Sequence, residues 1–441
     1  MSKPPNVSGP GVYERQDGCA INADLFDVLP GLPDDYFHAV VCDPPYGLAF
    51  MGKSWDDFEP KEYQEWCQDW AEEVLKVLKP GGHLLAFSGS RTHHRMFSGV
   101  EDAGFEIRDT ITWLHGQGFP KGNAIDKGID ERQGRTDERE IVGRKGTHRD
   151  GTTSSEQRSD KVKQAPREST EITKPATDEA KRWEGFSTAL KPATEFVVVA
   201  RKPLEEDTIA EQVMATGTGG LNIDACRVAT DDDTSRPTGT GEWSASDDEN
   251  HNFTYSENKI KGGHNDGRYP ANLALDEQAA AMLDEQSGEL ESGFMEAGTP
   301  YPGGNVYGEQ SGETYSDTYG DEGGASRFFY TSKASKSERT ADGKVDNDHP
   351  TVKPIDLMKW LVQLVTAPGQ KVLDPFGGSG TVGLACEDLG EYDDGAREYT
   401  MIERNSDYFG IIKDRLEATS VTGGDGNPDT PSGVLGDWSD E

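Results

Sequence analysis

Behind an apolar run, Phe37-His38-Ala39-Val40-Val41-Cys42, the chain places Asp43-Pro44-Pro45-Tyr46. The run reads as a short buried strand. Two consecutive prolines stop its ladder, because neither carries an N–H and each restricts the residue before it. The result is a rigid turn with one carboxylate, one aromatic ring and backbone carbonyls that no helix occupies. Such a turn suits a planar group bearing an NH2: the ring stacks on the plane and the oxygens accept its hydrogen bonds. A Pro-rich surface turn with a capping Asp has the same composition, so the tetrapeptide alone leaves both readings standing.

A second cluster lies near the other end of the chain. Lys371-Val372-Leu373-Asp374 reads as a strand, Pro375-Phe376-Gly377-Gly378-Ser379-Gly380 as a Gly-rich turn, and Thr381 to Leu389 as a helix stopped by Gly390. The next strand, Glu398 to Ile402, ends on Glu403. Strand, Gly-rich turn, helix, strand and acidic residue make the mononucleotide-binding half of a Rossmann-like fold. Glycines let the backbone approach a ligand, and Glu403, 23 residues after Gly380, is placed for ribose hydroxyls. The turn over Phe376 to Thr381 is tight and suits a nucleoside cofactor without phosphates. In open parallel sheets ligands bind at the C-terminal strand ends, so both clusters can share one cleft despite their separation in sequence.

The elements between them alternate. Cys19 to Ala23, Phe37 to Cys42, His83 to Phe87 and Phe105 to Leu114 are expected as strands, with helices over Lys61 to Leu78 and Thr92 to Ala103. Lys79-Pro80-Gly81-Gly82 reads as a helix stop. This alternation predicts a parallel α/β sheet. Residues 116–180 are polar and read as an insertion or long loop, after which Glu195 to Ala200 returns as a buried strand. From Pro203 to about Asn347 the chain is rich in Gly, Ser, Thr, Asp and Tyr and reads as a separate, loop-rich module. Regular α/β resumes with a helix over Ile355 to Val365, and a last helix covers Asp407 to Leu416. The expected division is a tail over 1–16, a catalytic half over 17–130, an insertion over 131–194, a returning strand over 195–202, a recognition region over 203–347, a cofactor half over 348–416 and an acidic tail over 417–441.

At 441 residues the chain is long enough for one large core or two to three domains, yet only 33% of it is hydrophobic. No window approaches 18 apolar residues and Met1 to Pro10 has no charged-then-apolar pattern, so a cytoplasmic protein without a membrane partner is expected. Five scattered cysteines without a C-x-x-C pair argue for reduced thiols and against a zinc site. The net charge of −37 comes from 81 acidic against 44 basic residues. An acidic protein should be repelled by nucleic acid. Adaptation to high salt, where charges are screened within about 3 Å at 1 M, accounts for the same numbers and leaves the partner open. Charge is uneven: residues 131–202 hold 16 Lys and Arg against 13 Asp and Glu, a net of +3. That stretch is either a nucleic-acid face or a solvated loop.

Taken jointly, these residues resemble the amino-methylating DNA methyltransferases that use S-adenosyl-L-methionine. Asp43-Pro44-Pro45-Tyr46 looks like their catalytic motif and Asp374-Pro375-Phe376-Gly377-Gly378-Ser379-Gly380-Thr381 like their cofactor motif. The catalytic motif comes first, as in the beta arrangement of that family. His349-Pro350-Thr351-Val352-Lys353-Pro354 resembles the helix-opening cofactor motif upstream of the Gly-rich turn. Gly118-Phe119-Pro120-Lys121, Ala189 to Glu195, Gly267 to Asn272 and Phe329 to Ser335 resemble segments of phage-type and prophage-type members. The resemblance spans about residues 17–416. It implies a Rossmann-like methyltransferase fold of the α/β class, with a mostly parallel twisted sheet, helices on both faces and permuted motif order. It further implies double-stranded DNA as partner, no metal, and a homodimer, as relatives of this arrangement often are. Asp43 and the Pro44 carbonyl would accept hydrogen bonds from the amine of a flipped base and Tyr46 would stack on it. Asp24 would contact the cofactor's adenine and Glu403 its ribose, with His349 and Lys353 as further cofactor contacts.

Bland readings stand beside these. Asp24 also suits a turn cap, and His349 and Lys353 suit packing and capping at a helix start. His93 and His94 read as a solvated helix face, and Trp113 and Trp183 as core. Adenine N6 is the expected target, because relatives acting on cytosine N4 more often have Ser in the place of Asp43. A zinc deaminase would need H-x-E and P-C-x-x-C, and neither is present. Cytosine C5 methylation needs a nucleophilic Cys, usually after Pro, whereas Cys42 precedes Asp43 inside the strand. A DNA-binding protein that kept the fold without catalysis is disfavoured by intact motifs at both places.

Overall fold

The computed structural model describes residues 4–5, 7, 11–48, 56, 58–116, 122–145, 170–230, 237–240, 244–245, 253–254, 258–261, 267–291, 322–332, 338–349, 351–392 and 395–419. Ten strands form the main sheet: β1 Val12–Glu14, β2 Gly18–Ile21, β3 Phe37–Cys42, β4 Leu78–Gly89, β5 Glu106–Leu114, β6 Thr194–Arg201, β7 Leu273–Asp276, β8 Tyr330–Ser332, β9 Lys371–Asp374 and β10 Glu398–Ile402. The helices are α1 Leu25–Val28, α2 Pro60–Val77, α3 His93–Asp102, α4 Ile125–Arg132, α5 Asp178–Arg182, α6 Ile209–Thr216, α7 Glu277–Ser287, α8 Ile355–Val365, α9 Thr381–Tyr392 and α10 Ser406–Thr419.

Sheet order is β1-β2-β10-β9-β3-β4-β6-β5-β7-β8. Only β1 and β6 run antiparallel to their neighbours; every other adjacent pair is parallel. Both faces are covered, as the near-continuous apolar runs demand. Along β3, Ala39 and Val41 join a core with Leu361 and Val365 of α8, Leu384 and Ala385 of α9 and Ile412 of α10. Val40 and Cys42 turn to the opposite core, with Trp70 and Val74 of α2 and Met96 and Val100 of α3. This is an α/β fold of three layers.

Helix α2 shows why its sequence folds locally. Pro60 occupies its first turn, Glu59 and Glu62 cap each other's backbone, and Tyr63, Cys67, Trp70, Ala71, Val74 and Val77 make one buried stripe. Burying a large apolar side chain of this kind stabilises by about 1.5–3 kcal/mol.

Residues 117–193 form a compact unit of their own. Its described part holds α4, α5 and a hairpin of Ile141–Lys145 with Thr170–Thr173, and buried Arg139 pairs with Asp126 and Asp130. Trp183 belongs to this unit and is 47% exposed against the ring of Phe186, so the expectation that it is core fails; Trp113 is buried.

The structure departs from the sequence reading elsewhere too. Val12–Glu14, read as tail, pairs with β2. Strand β4 begins at Leu78 and runs through Lys79-Pro80-Gly81-Gly82, where a stop was expected. Within 203–347, read as a separate module, the described β7 and β8 extend the main sheet, and the Trp360 indole N–H donates to the Cys226 carbonyl at 3.3 Å. Gly118-Phe119-Pro120-Lys121, Pro350, Lys333 to Ser335, residues 146–169 and residues 420–441 lie outside the described residues.

Candidate active site

The C-terminal ends of β2, β10, β9, β3 and β4, which are consecutive neighbours in the sheet, lie along one edge of it. Antiparallel β6 brings its beginning to the same edge, so Glu195 joins it from the opposite chain direction. Asp43 follows β3, and Asp374 ends β9, the neighbouring strand. The two motifs that sequence places far apart are therefore side by side.

The Asp-Pro-Pro-Tyr turn is held from several directions. The Thr92 hydroxyl, just before α3, donates to the Tyr46 carbonyl at 2.6 Å, and the Tyr63 hydroxyl of α2 donates to the Pro45 carbonyl at 2.9 Å. Buried Asp56 accepts from the backbone N–H groups of Gly47 at 2.6 Å and Leu48 at 3.1 Å. The Pro44 carbonyl has no hydrogen-bond partner among the described residues.

Four side chains meet at this turn. Lys353 Nζ lies 2.6 Å from Asp43 Oδ2, 3.1 Å from Tyr46 Oη and 3.2 Å from Glu195 Oε2. Tyr46 Oη lies 2.9 Å from Asp43 Oδ1 and 2.7 Å from Glu195 Oε2. Lys353 is nearly enclosed, at 7% side-chain exposure, while Asp43 and Glu195 keep 21% and 22%. Burial pushes the Asp43 carboxyl up against the pull of Lys353. Burial acts on Glu195 too, but Lys353 and the Tyr46 hydroxyl outweigh it and hold that carboxyl below its usual range. Cys42 is fully buried, and burial raises its thiol well above the ordinary value.

The Gly-rich turn is built differently. Asp374 is buried, accepts from the Phe376 N–H at 3.0 Å and is raised to about 8, chiefly by burial. Gly378 takes φ +54°, and its N–H donates to Glu403 Oε2 at 2.8 Å. Glu403 Oε1 accepts from Asn405 N–H at 2.6 Å, and each carboxylate oxygen keeps a lone pair for a further donor. Asn22 Nδ2 donates to the Glu403 carbonyl at 2.8 Å, which brings the loop after β2 alongside. In that loop Asp24 caps α1 through Phe26 N–H at 3.1 Å and faces Arg404 at 3.5 Å.

Of the residues named from sequence, Asp24, Gly377, Gly378, Gly380, Glu403 and His349 gather around the ends of β2, β10 and β9. The His349 ring packs on Tyr408 at 4.5 Å, and a Cβ on Gly378 would come within 3.3 Å of its Nε2. Burial lowers the His349 imidazole to about 4, so it is neutral near pH 7. Lys353 does not join this group; its ammonium points into the Asp43 turn. Phe376 packs on Trp66 at 5.7 Å and Trp70 at 5.4 Å. Ser379 and Thr381 turn their hydroxyls to buried Arg415, at 3.0 and 3.2 Å.

Glu195, Thr92, Tyr63, Asp56 and Arg415 were not singled out by sequence. Glu195 closes the segment Ala189 to Glu195, noticed only as a likeness; a lone Glu opening an apolar strand was the available signal. Among the described residues, no cluster of three or more His, Cys, Asp or Glu is placed to hold a metal, and no helix is long and apolar enough to cross a membrane.

With this geometry established, comparison gives the class. The DNA methylase family N6_N4_Mtase matches residues 37–414, and the chain belongs to it. Over 130 residues it is 26% identical to the type II methyltransferase M.HindIII of Haemophilus influenzae, covering 22% of this chain and 42% of that one. The match thus spans less than half of that relative's length. Among solved structures, the cytosine-N4-specific PvuII DNA methyltransferase aligns over 92% of both chains at 14% identity and a TM-score of 0.42. The M1.HpyAVI-SAM complex aligns over 90% of this chain and 98% of that one, at 15% identity and a TM-score of 0.34.

Proposed function

We propose that this chain is a site-specific DNA methyltransferase that moves a methyl group from S-adenosyl-L-methionine to the exocyclic amine of a flipped base, adenine N6 in the first instance. Cytosine N4 is the alternative, served by the same geometry. The observation that carries the reading is the adjacency of the Asp43 turn and the Gly-rich turn on neighbouring strands β3 and β9. A positive φ at Gly378, where a Cβ would come within 3.3 Å of the His349 ring, fits a backbone that a ligand approaches closely. The donor set fits as well: Glu403 has lone pairs for ribose hydroxyls, and Asp24 stands beside it for the adenine. When bound, S-adenosyl-L-methionine supplies an electrophilic methyl group.

The protein's own residues do the rest. An exocyclic amine is a poor nucleophile because its lone pair is delocalised into the ring. Asp43 and the Pro44 carbonyl accept its N–H bonds and favour a pyramidal nitrogen with its lone pair exposed. Tyr46 stacks on the base, which must leave the duplex to reach the turn. Thr92, Tyr63 and Asp56 fix the turn so that orientation is set before the base arrives. Target reading is assigned to residues 203–347 with the locally basic insertion. The dispersed acidic charge is assigned to adaptation to high salt.

Plasmid treated with the protein and cofactor, then cut with adenine-sensitive and cytosine-sensitive restriction enzymes, tests the activity and separates the two bases. Asp43→Ala is expected to abolish transfer while calorimetry still detects cofactor binding. Unprotected plasmid with the wild-type protein, or full turnover by Asp43→Ala, would overturn the proposal.

A further inference from the structure

The four side chains around Tyr46 do not have enough protons for their contacts. Five close contacts join them: Lys353 to Asp43, to Tyr46 and to Glu195, and Tyr46 to Asp43 and to Glu195. Lys353 has three N–H protons and Tyr46 one hydroxyl proton, while ionised carboxylates have none. Four protons therefore serve five contacts. With the hydroxyl proton placed on the shorter contact, 2.7 Å to Glu195, Asp43 Oδ1 faces the hydroxyl oxygen at 2.9 Å with no proton between them. With both carboxylates ionised, the group carries two negative charges and one positive.

Resting on the methyl-transfer reading above, we propose that Glu195 and Lys353 are positioning residues that keep the Asp43 turn one proton short, so that Asp43 takes the proton the target amine sheds on methylation. The atoms balance. The amine nitrogen gives its lone pair to the methyl carbon, and the carbon–sulfur bond breaks with its pair left on sulfur. The nitrogen then loses its surplus proton to Asp43 Oδ1, whose new O–H donates to Tyr46 Oη and completes the fifth contact. The group ends neutral, which a largely buried site favours. Glu195, still partly open to water, is the exit through Tyr46 when Asp43 resets.

Other groups face this turn. Cys42 on β3, Tyr63 on α2 and Asp374 at the end of β9 interact electrostatically with Asp43, and His115 after β5 faces Glu195 at 4.0 Å. Lys353 is the cation next to Asp43 and Glu195 an anion whose charge raises it, so removing each should move Asp43 in opposite directions. That contrast separates proton control from support of the fold.

The test uses the full chain. Infrared titration of the protonated carboxyl band, assigned to Asp43 by its loss in Asp43→Asn, needs neither cofactor nor DNA. Lys353→Met is expected to raise the Asp43 midpoint by roughly 1–3 pH units. Glu195→Gln is expected to lower it, and Lys353→Arg to leave it near the wild-type value. The acid limb of single-turnover methyl transfer should shift in the same directions. Slower transfer with an unmoved limb in both variants would overturn the proposal, as would shifts of the same sign. Should Lys353→Met fail to fold, the Glu195→Gln and Lys353→Arg pair decides by the same signs. Absent transfer by the wild-type protein would instead count against the methyltransferase reading, since the infrared shifts do not depend on it.

Discussion

Replacing Tyr46 by Phe deletes one oxygen and keeps the ring, which separates the residue's two assigned roles. The lost oxygen lies 2.9 Å from Asp43, 2.7 Å from Glu195 and 3.1 Å from Lys353. Hydrogen bonds to charged groups are worth about 1.5–3 kcal/mol net. Losing the upper end of that range from the turn lowers turnover by about 10²-fold, at 1.36 kcal/mol per tenfold. Base stacking survives, and it is worth ~1–3 kcal/mol. Phe should therefore bind target DNA nearly as well as Tyr while transferring methyl groups far more slowly. Ala should lose both, weakening DNA binding by a further factor of about 5 to 150. Fluorescence anisotropy reads the affinity, 2-aminopurine at the target position reads flipping, and single-turnover transfer reads the chemistry. A Phe variant as fast as wild type would refute the hydroxyl's role; one that binds as weakly as Ala would refute the ring's.

Gly378→Val forces a β-branched residue to φ +54° within 3.3 Å of the His349 ring, so calorimetric cofactor affinity should fall by about 1–3 kcal/mol while the fold persists. Histidine 83 is buried, and burial with Arg201 and Arg108 nearby lowers it to about 4 from 6.5. The unfolded chain binds this proton first, so the stabilisation is complete above pH 6.5 and is lost as pH falls toward 4, by on the order of 3 kcal/mol. Thermal melts across that window should flatten in His83→Gln; an unchanged slope would contradict the assignment. If the −37 net charge is a high-salt adaptation, activity should rise with KCl into the molar range, and a maximum near 50 mM would contradict it.

Much of the framework was legible because short apolar runs are bounded by strong turn residues. Strands β3, β9 and β10 and helix α8 begin and end where the sequence reading put them. Helix α9 shows the limit of that logic. Gly390 was read as its stop, yet the helix continues to Tyr392, and a Cβ at Gly390 would meet Ala396 at 2.9 Å. Close packing, not termination, accounts for that glycine. Strands β7 and β8, four and three residues long, were missed because they sit in a stretch rich in Gly, Ser, Thr and Asp that reads as loop. The partners of Lys353, which was read as a cofactor contact, and the part played by Glu195 were hidden for another reason. Their partners lie 310 and 149 residues away, a proximity created by strand order and invisible to spacing.

Strand β3 pairs on one side with β4, which follows it promptly, and on the other with β9, through Val372 to Ala39 and Leu373 to Val40. A ribosome must add more than three hundred residues between those partners. At about 5–20 residues per second this takes on the order of a minute or less, during which β3 presents an unpaired edge bearing Ala39, Val40 and Val41. Completion of the sheet is thus timed by the last stretch to be synthesised, and a nascent chain paused before Lys371 holds an open seam where its own copies can pair. Polysomes translating this message densely would be where such mispairing begins.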